Sequence, residues 1–306
     1  MKLSDKHFLR RIWRYRALYI FILPAVIWYI VFCYIPMYGL ALGFKEFHFN
    51  MSIWESPWVG MRYFRQFIND RMFWPLLQNT VIISALKMVI GFPAPIILAL
   101  MINEVSNKYF KKAIQTVTYL PYFVSWVVCI AVLVKFISPH EGIINNILVN
   151  VFHKDAIYFM GEKNWFYPLV LFTDIWKNVG WNSIVYLSAL SGIDQQLYEA
   201  ASIDGAGKWK SMIHITLPNI LPTACILFLL NIGNLLKAGY EQIILLKTPG
   251  NSALSMILDT QIIQQGIQQG RYEYATVAGL FQSVIGLILV IIVNRITKKL
   301  AEVSLW

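Results

Sequence analysis

The sequence predicts an all-α integral membrane protein with six transmembrane helices, and three observations support this fold class. Of the 306 residues, 58% are hydrophobic and only 14% are charged, whereas soluble domains contain roughly 25% charged residues. The apolar residues collect in six segments, each about as long as a bilayer-spanning helix. The 26 basic residues exceed the 16 acidic ones by ten, and this excess lies mainly between alternate segments. The composition excludes an ordinary cytosolic enzyme, a disordered chain and a disulfide-built secreted domain.

The six apolar segments are the predicted spans. A helix needs roughly 20 apolar residues to cross a hydrocarbon core of about 30 Å. The first segment is too long for the apolar region of a signal peptide, and no small-residue cleavage site follows it, so we interpret it as a helix. Prolines within the spans are tolerated when neighbouring helices satisfy the freed carbonyls. The spans are residues 17–42, 76–102, 113–137, 166–190, 213–236 and 275–294.

The charges between the spans predict the orientation in the membrane. One alternate set of connecting and terminal segments holds 14 basic and 6 acidic residues, and the other holds nine of each. The positive-inside rule makes the basic set cytoplasmic, so both termini are predicted to be cytoplasmic. The predicted regions are a basic N-terminus (1–16), the first helix (17–42), an extracytoplasmic aromatic-rich loop (43–75), a core with five helices (76–296) and a cytoplasmic tail (297–306).

Residues 195–218, between spans four and five, are predicted to form a helix, a turn and a second helix. Apolar residues between 197 and 203 share one helical face, which favours a short helix ending at Ile203. Asp204-Gly205 is a turn signal, because glycine adopts positive φ at no steric cost. The second helix then runs from Lys208 into the fifth span. Physical reasoning alone leaves two interpretations open, a compact cytoplasmic knob and an interfacial linker.

The same segment resembles the EAA loop of binding-protein-dependent ABC importer permeases. The matching positions are Glu199-Ala200-Ala201, Gly205 six residues after the glutamate, Ile215 ten residues later, and Leu217-Pro218. The resemblance implies a type I importer permease (MetI-like) fold, in which this loop docks on a separate ATPase. It implies a polar contact from the glutamate, close approach at the alanines and a turn at the glycine. The implied coupling residues are Glu199, Ala200, Ala201, Asp204, Gly205, Ile215, Leu217 and Pro218.

The loop does not contain a phosphate-binding motif, although Gly205-Ala-Gly-Lys208 is similar to part of one. A P-loop requires glycine five residues before its second glycine and serine or threonine after the lysine. Position 202 is serine and position 209 is tryptophan. We therefore expect this chain to bind no cofactor and to be no enzyme, with ATP and Mg²⁺ used by the partner ATPase.

The first extracytoplasmic loop is rich in aromatic residues, which is typical of an interfacial belt at the level of the lipid headgroups. Their order also resembles the oligosaccharide branch of these permeases, which includes the polysaccharide, lipoprotein-operon and alginate-transporter types. The matching residues are Ser56-Pro-Trp-Val-Gly60, Tyr63-Phe64, Phe73-Trp74, Asn79-Thr80 and Gly142-Ile-Ile-Asn145. The resemblance implies a sugar as the transported solute.

Polar residues within the spans are candidates for the substrate path, because each is costly in lipid. In span five, Asn231 and Asn234 share a helical face that Lys237 continues, and maltose-transporter permeases have asparagines with this spacing at their sugar site. Helix–helix hydrogen bonds are the alternative role. In span four, Asn178 and Asn182 offer hydrogen bonds and Trp181 offers a stacking face. The i, i+3 spacing of Asp174 and Lys177 suggests a mutually neutralising pair as the alternative.

Lysines within or next to the spans suggest an anionic solute. Lys87 has no acid within one helical turn, so it should face a cavity or a partner helix. Together with Lys177 and Lys237, it would favour an acidic ligand such as a uronate-containing oligosaccharide. This hypothesis adds charge to the sugar that the resemblance implies.

The resemblance also implies the assembly and its location. The expected partners are a second homologous permease subunit as a heterodimer, an ABC ATPase dimer, an extracytoplasmic solute-binding lipoprotein and the bilayer of a bacterial cell membrane, with no nucleic acid. Two other classes remain as alternatives. An ion-coupled secondary transporter would show internal repeats, which the two halves lack. A membrane enzyme would need convergent acidic or metal-binding groups, but acids within the spans are sparse and the five histidines show no ligand spacing.

Overall fold

The computed structural model describes residues 13–301, and the side chains of residues 13–299. Most of the predicted basic N-terminal segment (1–16) and the last five residues of the tail lie outside the described residues. The described residues are mostly helical. An isolated antiparallel bridge pairs Lys45 with Trp58. Contacts divide the chain into two units. One holds the chain up to Ile68 and Gln265–Leu280, and the other holds Asn69–Gln264 and the chain from Phe281 onward.

The first unit contains α1 (Arg16–Phe44), α2 (Arg62–Ile68) and the start of the last helix, α13 (Tyr272–Ala301). Aromatic residues at the end of α1 stack on those that follow it, as Phe44 does on Trp58 with ring centroids 5.5 Å apart. Phe67 of α2 packs edge-on against Tyr274 of α13, and both side chains are fully buried. The aromatic-rich loop is therefore partly a small packed core, in addition to any interfacial role.

The second unit contains the ten helices between α2 and α13, together with the rest of α13. Residues 163–165 and 249–251 add single helical turns. The helices are α3 (Phe73–Glu104), α4 (Lys108–Phe123), α5 (Trp126–Ile137), α6 (Ile143–Asn150), α7 (Phe166–Ser191), α8 (Gln195–Ile203), α9 (Lys208–Ile232), α10 (Tyr240–Leu246), α11 (Ser252–Ser255) and α12 (Leu258–Ile263).

Each of the six predicted spans lies largely within helical segments, and the third is divided between α4 and α5. By length and composition, four described helices are able to cross a bilayer, namely α1, α3, α9 and α13. The pair α4 and α5 meets the same criteria only if it is taken together, and it is bent by 109°. The fourth predicted span, α7, has 26 residues and is therefore long enough to cross, but polar residues along it make it less apolar than the others.

The prediction of one continuous third span over residues 113–137 is wrong. The chain leaves the helix at Val124 and Ser125, which are both extended, with ψ of 139° and 155°. The Ser125 hydroxyl accepts a hydrogen bond from the Val128 N–H at 3.3 Å, so it caps a new helix. Apolar residues continue across the break, and for this reason hydropathy alone does not reveal it.

Helix α3 packs along α7, and a wider turn at Lys87–Gly91 interrupts α3 just before Pro93. Because proline has no N–H to donate, the regular hydrogen-bonding pattern of the helix is interrupted next to it, and this favours the wider turn. Two buried apolar clusters hold the unit together. One surrounds Ile83, Val170 and Ile243, and the other surrounds Ala99, Tyr186 and Ile220. The space between these clusters holds the candidate substrate path.

Candidate functional site

The loop between α7 and α9 folds as the sequence predicts. Asp194 caps α8 by accepting a hydrogen bond from the Gln196 N–H at 2.9 Å. Helix α8 ends at Ile203, and α9 begins at Lys208. Between them Gly205 has φ of +74°, the left-handed conformation that favours glycine. The helix, the turn at Gly205 and the second helix are thus confirmed as structural predictions.

The turn presents exposed side chains on both sides of Gly205. Glu199, Ala200 and Asp204 are exposed, and Ala201 is half-buried. Two large apolar side chains flank the turn, Ile203 with 87% and Trp209 with 74% of its surface exposed. Two large apolar side chains that are exposed together beside a turn are candidates for contact with a partner. The sequence analysis missed these two residues, although their size and their position next to Asp204-Gly205 were a usable signal.

The base of the loop is anchored in the buried part of the unit. The hydroxyls of Tyr198 and Thr216 are 3.0 Å apart, which joins α8 to the start of α9. Tyr198 and Ile215 pack against the buried cluster around Tyr186. The two remaining motif positions, Leu217 and Pro218, are exposed residues within α9, away from the turn itself. The motif therefore divides into a mostly exposed part, 199–205, and a base, 215–218.

A cavity of about 370 Å³ lies between α3, α7 and the end of α9. It is lined by seven of the eight residues predicted for the substrate path. Polar groups alternate there with aromatic and aliphatic side chains, including Phe92, Trp181 and Tyr186. The predicted residues that line it are Lys87, Asn178, Trp181, Asn182, Asn231, Asn234 and Lys237.

The asparagines of the cavity wall are partly bonded within their own helices. The Asn231 side chain donates to the Leu227 carbonyl at 2.8 Å, and Asn234 donates to the Leu230 carbonyl at 3.4 Å. Asn178 donates to Asp174 at 3.3 Å. Each amide carries two N–H donors and an acceptor oxygen, so hydrogen-bonding capacity remains for a ligand. The Ser84 hydroxyl, which the sequence analysis missed, is a buried group of this wall without a hydrogen-bond partner among the described residues.

Lys87 faces the cavity and a partner helix, as predicted from its lack of a neighbouring acid. Its Nζ atom lies 3.3 Å from Oδ1 of Asp174 on α7. It also donates to the Ala238 carbonyl at 2.9 Å and to Oε1 of Gln242 at 2.6 Å. The pairing of Asp174 with Lys177, which i, i+3 spacing suggested, is thus wrong, because the carboxylate turns to a lysine on another helix.

Lys177, which the sequence analysis placed on the substrate path, is not among the residues that line this cavity. Only 8% of its surface is exposed. Its ammonium group donates to main-chain carbonyls of Pro121, Tyr122 and Val124, at the break between α4 and α5. Spacing along α7 gives no sign of this, since the partners are more than 50 residues away in sequence.

A polar network that the sequence analysis missed holds the segment after α9 next to the cavity. Gln242 donates to the Val170 carbonyl at 2.8 Å and to the Thr173 hydroxyl at 2.7 Å. Gln282 donates to the Leu236 carbonyl at 2.8 Å and to Asp259 at 2.9 Å. These bonds position the turn that carries Lys237 and Ala238. Across residues 13–301, no group of three or more potential ligands is arranged to hold a metal ion.

Comparison with known proteins gives consistent matches. Residues 91–302 match the family described as "Binding-protein-dependent transport system inner membrane component". Protein LplB of Bacillus subtilis (strain 168) is 39% identical over 96% of this chain and 92% of its own length. The polygalacturonan/rhamnogalacturonan transport system permease protein YteP of the same organism is 38% identical, covering 100% of this chain and 95% of its own.

Solved structures agree with these matches. A crystal structure of a bacterial ABC transporter that imports the acidic polysaccharide alginate contains a chain 39% identical to this one, with a TM-score of 0.87 over 96% of this chain and 99% of that one. In a second, the alginate transporter is in complex with an alginate pentasaccharide-bound periplasmic protein, and the TM-score is 0.88 at 38% identity over 97% and 99% of the two chains.

Proposed function

Since the chain belongs to the family of binding-protein-dependent transport system inner membrane components, we propose that it forms the translocation path for an acidic oligosaccharide in an ATP-driven importer. The observation that carries this proposal is the cavity between α3, α7 and α9, whose wall combines amide groups with Trp181. Sugars need partners for their hydroxyls and apolar surface for their C–H faces, and this wall offers both. The chain is a transport subunit, as its relatives are.

The acidity of the cargo is supported by charge in the cavity and by the relatives. Lys87 is neutralised by Asp174, so it adds little net charge to the wall. Lys237 is exposed, lines the cavity and has no paired acid among the described residues. Two of the similar proteins are described as handling polygalacturonan and alginate. Of the three lysines that suggested an anionic solute, Lys237 is therefore the one that carries this part of the proposal.

The exposed turn supports the proposed assembly. Residues 199–205, with Ile203 and Trp209 beside them, form the surface proposed to dock on a separate ATPase, where ATP and Mg²⁺ would be bound. We infer that the turn lies on the cytoplasmic side with both termini inside, and the excess of basic residues in the segments assigned to that side supports this. A second homologous permease subunit and a solute-binding protein complete the proposed complex. The alginate transporter's structure with a periplasmic protein supports the latter partner.

Uptake by the assembled transporter tests the function. The chain would be co-expressed with its ATPase, permease partner and binding protein, and ATP-driven uptake into proteoliposomes measured for acidic and neutral oligosaccharides of equal length. We expect uptake of the acidic sugar, and Lys237→Met should lower the ratio of acidic to neutral uptake. Because each variant uses the same binding protein, selection by that protein cancels in this comparison.

Lys247→Met is the matched control, since Lys247 is also exposed and does not line the cavity. It should leave the ratio unchanged. Equal uptake of both sugars, unaltered by Lys237→Met, would contradict an acidic cargo. No ATP-driven uptake of any oligosaccharide would contradict the proposed function as a whole.

A further inference from the structure

The feature that the proposed path leaves unused is the buried ammonium group of Lys177. It has no carboxylate partner within the described residues, and its hydrogen-bond acceptors are three main-chain carbonyls, those of Pro121, Tyr122 and Val124. A charged group is buried at great cost unless its donors are satisfied. Here all three N–H donors of the ammonium have carbonyl acceptors, so the hydrogen-bonding requirement of the buried cation is met.

The three carbonyls lie where α4 ends. The last carbonyls of a helix have no partner within the helix, and the end of the helix carries a partial negative charge. An ammonium group is the natural complement to both. Lys177 also lies 5.4 Å from the ring centre of Trp126, the first residue of α5. One side chain of α7 therefore contacts both halves of the bent pair at its 109° break.

Tyr122 connects the end of α4, where Lys177 binds the three carbonyls, to the cavity. Its ring is stacked on that of Trp181 with centroids 4.5 Å apart and planes inclined by 5°, while the ring of Phe123 meets Trp181 edge-on at 5.4 Å. The Lys177 ammonium lies 5.7 Å from the Tyr122 ring centre and binds the Tyr122 carbonyl at 2.9 Å. Trp181 in turn lines the cavity. The main chain that Lys177 holds therefore carries the ring that supports the cavity wall.

We propose that Lys177 is a positioning residue for transport, which fixes the Tyr122–Trp181 stack by capping the end of α4 and so presents the indole of Trp181 to the sugar rings of the cargo. This inference rests on the proposed function, because the stack matters for transport only if a sugar passes the cavity. The lysine itself makes no contact with the cargo. Its charge is used for holding main chain, and it does not attract the anionic sugar.

A double-mutant cycle in the assembled transporter tests the proposal. Lys177→Met and Tyr122→Leu should each lower oligosaccharide uptake roughly two- to twelvefold, the factor that corresponds to one aromatic pair. The double variant should be no slower than the slower single one, because both changes loosen the same stack. Tyr122→Phe, which keeps the ring, is the matched control and should transport like the wild type. Effects that multiply in the double variant would overturn the proposal.

A second measurement reads the stack directly and needs no transported sugar. In transporter labelled with 5-fluorotryptophan, the variant Trp181→Phe identifies the ¹⁹F resonance of Trp181. Lys177→Met should move this resonance toward its position in Tyr122→Leu, and Tyr122→Phe should leave it close to the wild type. A Trp181 resonance that Tyr122→Leu shifts but Lys177→Met does not would overturn the proposal.

The two measurements separate this inference from the proposed function. A wild-type transporter that imports no oligosaccharide contradicts the function, while the ¹⁹F shifts still decide whether Lys177 holds the stack. If Lys177→Met does not assemble with its partner subunits, Lys177→Gln replaces it in both experiments, since its uncharged amide has only two N–H donors and no longer satisfies all three carbonyls. It should then shift the resonance in the same direction, and an unshifted resonance would again overturn the proposal.

Discussion

The ammonium group of Lys87 lies 3.3 Å from the carboxylate of Asp174, and this ion pair joins α3 to α7 across the wall of the proposed path. Each side chain is about one-fifth exposed, so the pair is neither fully buried nor freely solvated. Lys87 also holds the segment after α9 through the Ala238 carbonyl. The pair is therefore positioned to fix three elements around the cavity, while leaving the wall electrically neutral at this point.

At least one of the two single substitutions in this ion pair should destabilise the complex more than the double substitution does. Lys87→Met leaves a carboxylate without its partner, and Asp174→Asn leaves the ammonium, whereas the double variant leaves no unpaired charge. We expect a coupling energy of about 0.5–3 kcal/mol between the two sites. Melting temperatures of the detergent-solubilised complex measure it, with the double variant above at least the less stable single one. Strictly additive losses would contradict a direct ion pair.

The exposed glycine of the loop gives a second prediction. Gly205 has φ of +74°, and a Cβ atom there would meet nothing within 4 Å. Gly205→Ala should therefore cost only backbone energy, about 1–2 kcal/mol. Gly205→Pro should abolish ATP-driven uptake, because proline fixes φ near −65° and removes the N–H that donates to Ser202. Uptake and membrane insertion are measured together, and insertion should be intact.

Gly207→Ala is the matched control for the turn. Gly207 is also exposed and has open space at its Cβ position, but its φ is −75°, which any residue adopts. Its uptake should equal that of the wild type. Equal loss at positions 205 and 207 would show that bulk in the loop, and not the turn conformation, limits transport.

The fold and the site were predictable from sequence to different degrees, and the difference has a physical basis. The helix ending at Ile203 and the turn at Gly205 are local features, which glycine and apolar spacing determine within a few residues. The partner of Lys87 is 87 residues away and that of Lys177 more than 50, so only helix packing brings them together. The break at Ser125 is hidden in a continuous apolar stretch, where a single serine is weak evidence for a cap.

A third prediction concerns the polar contact expected at the protruding helix. Glu199 is exposed on α8, and its side chain is not needed for the turn itself. Glu199→Lys should abolish ATP-driven uptake without affecting insertion, because it reverses the charge offered to the ATPase. Glu199→Gln keeps the size and a hydrogen-bonding group and should retain part of the uptake. Co-purification of the ATPase provides the second readout, and normal transport by Glu199→Lys would refute the assignment of the loop.

The base of the loop leads to a fourth prediction. The 3.0 Å contact between the Tyr198 and Thr216 hydroxyls joins α8 to α9, and Tyr198 packs against the cluster that contains the cavity residue Tyr186. Tyr198→Phe and Thr216→Val each remove this bond, at a cost of roughly 0.5–1.5 kcal/mol. We expect ATP hydrolysis to continue while uptake per ATP falls. The double variant should resemble the single ones, and a multiplied loss would argue against a shared bond.

The packing of α4 on α7 gives the last prediction. A Cβ atom at Gly180 would lie 2.0 Å from the main-chain carbonyl oxygen of Thr118, so the helices touch backbone to backbone at this point. Gly180→Ala should force them apart at a cost of about 1–3 kcal/mol, and it should disturb the neighbouring Tyr122–Trp181 stack. Gly192, which follows the same helix, is the matched control, since its Cβ position has only ordinary contacts from 3.5 Å outward. Melting temperature and uptake should both fall for Gly180→Ala and stay near wild type for Gly192→Ala. A Gly180→Ala variant as stable as the wild type would mean that α4 does not rest on α7 in the assembled transporter.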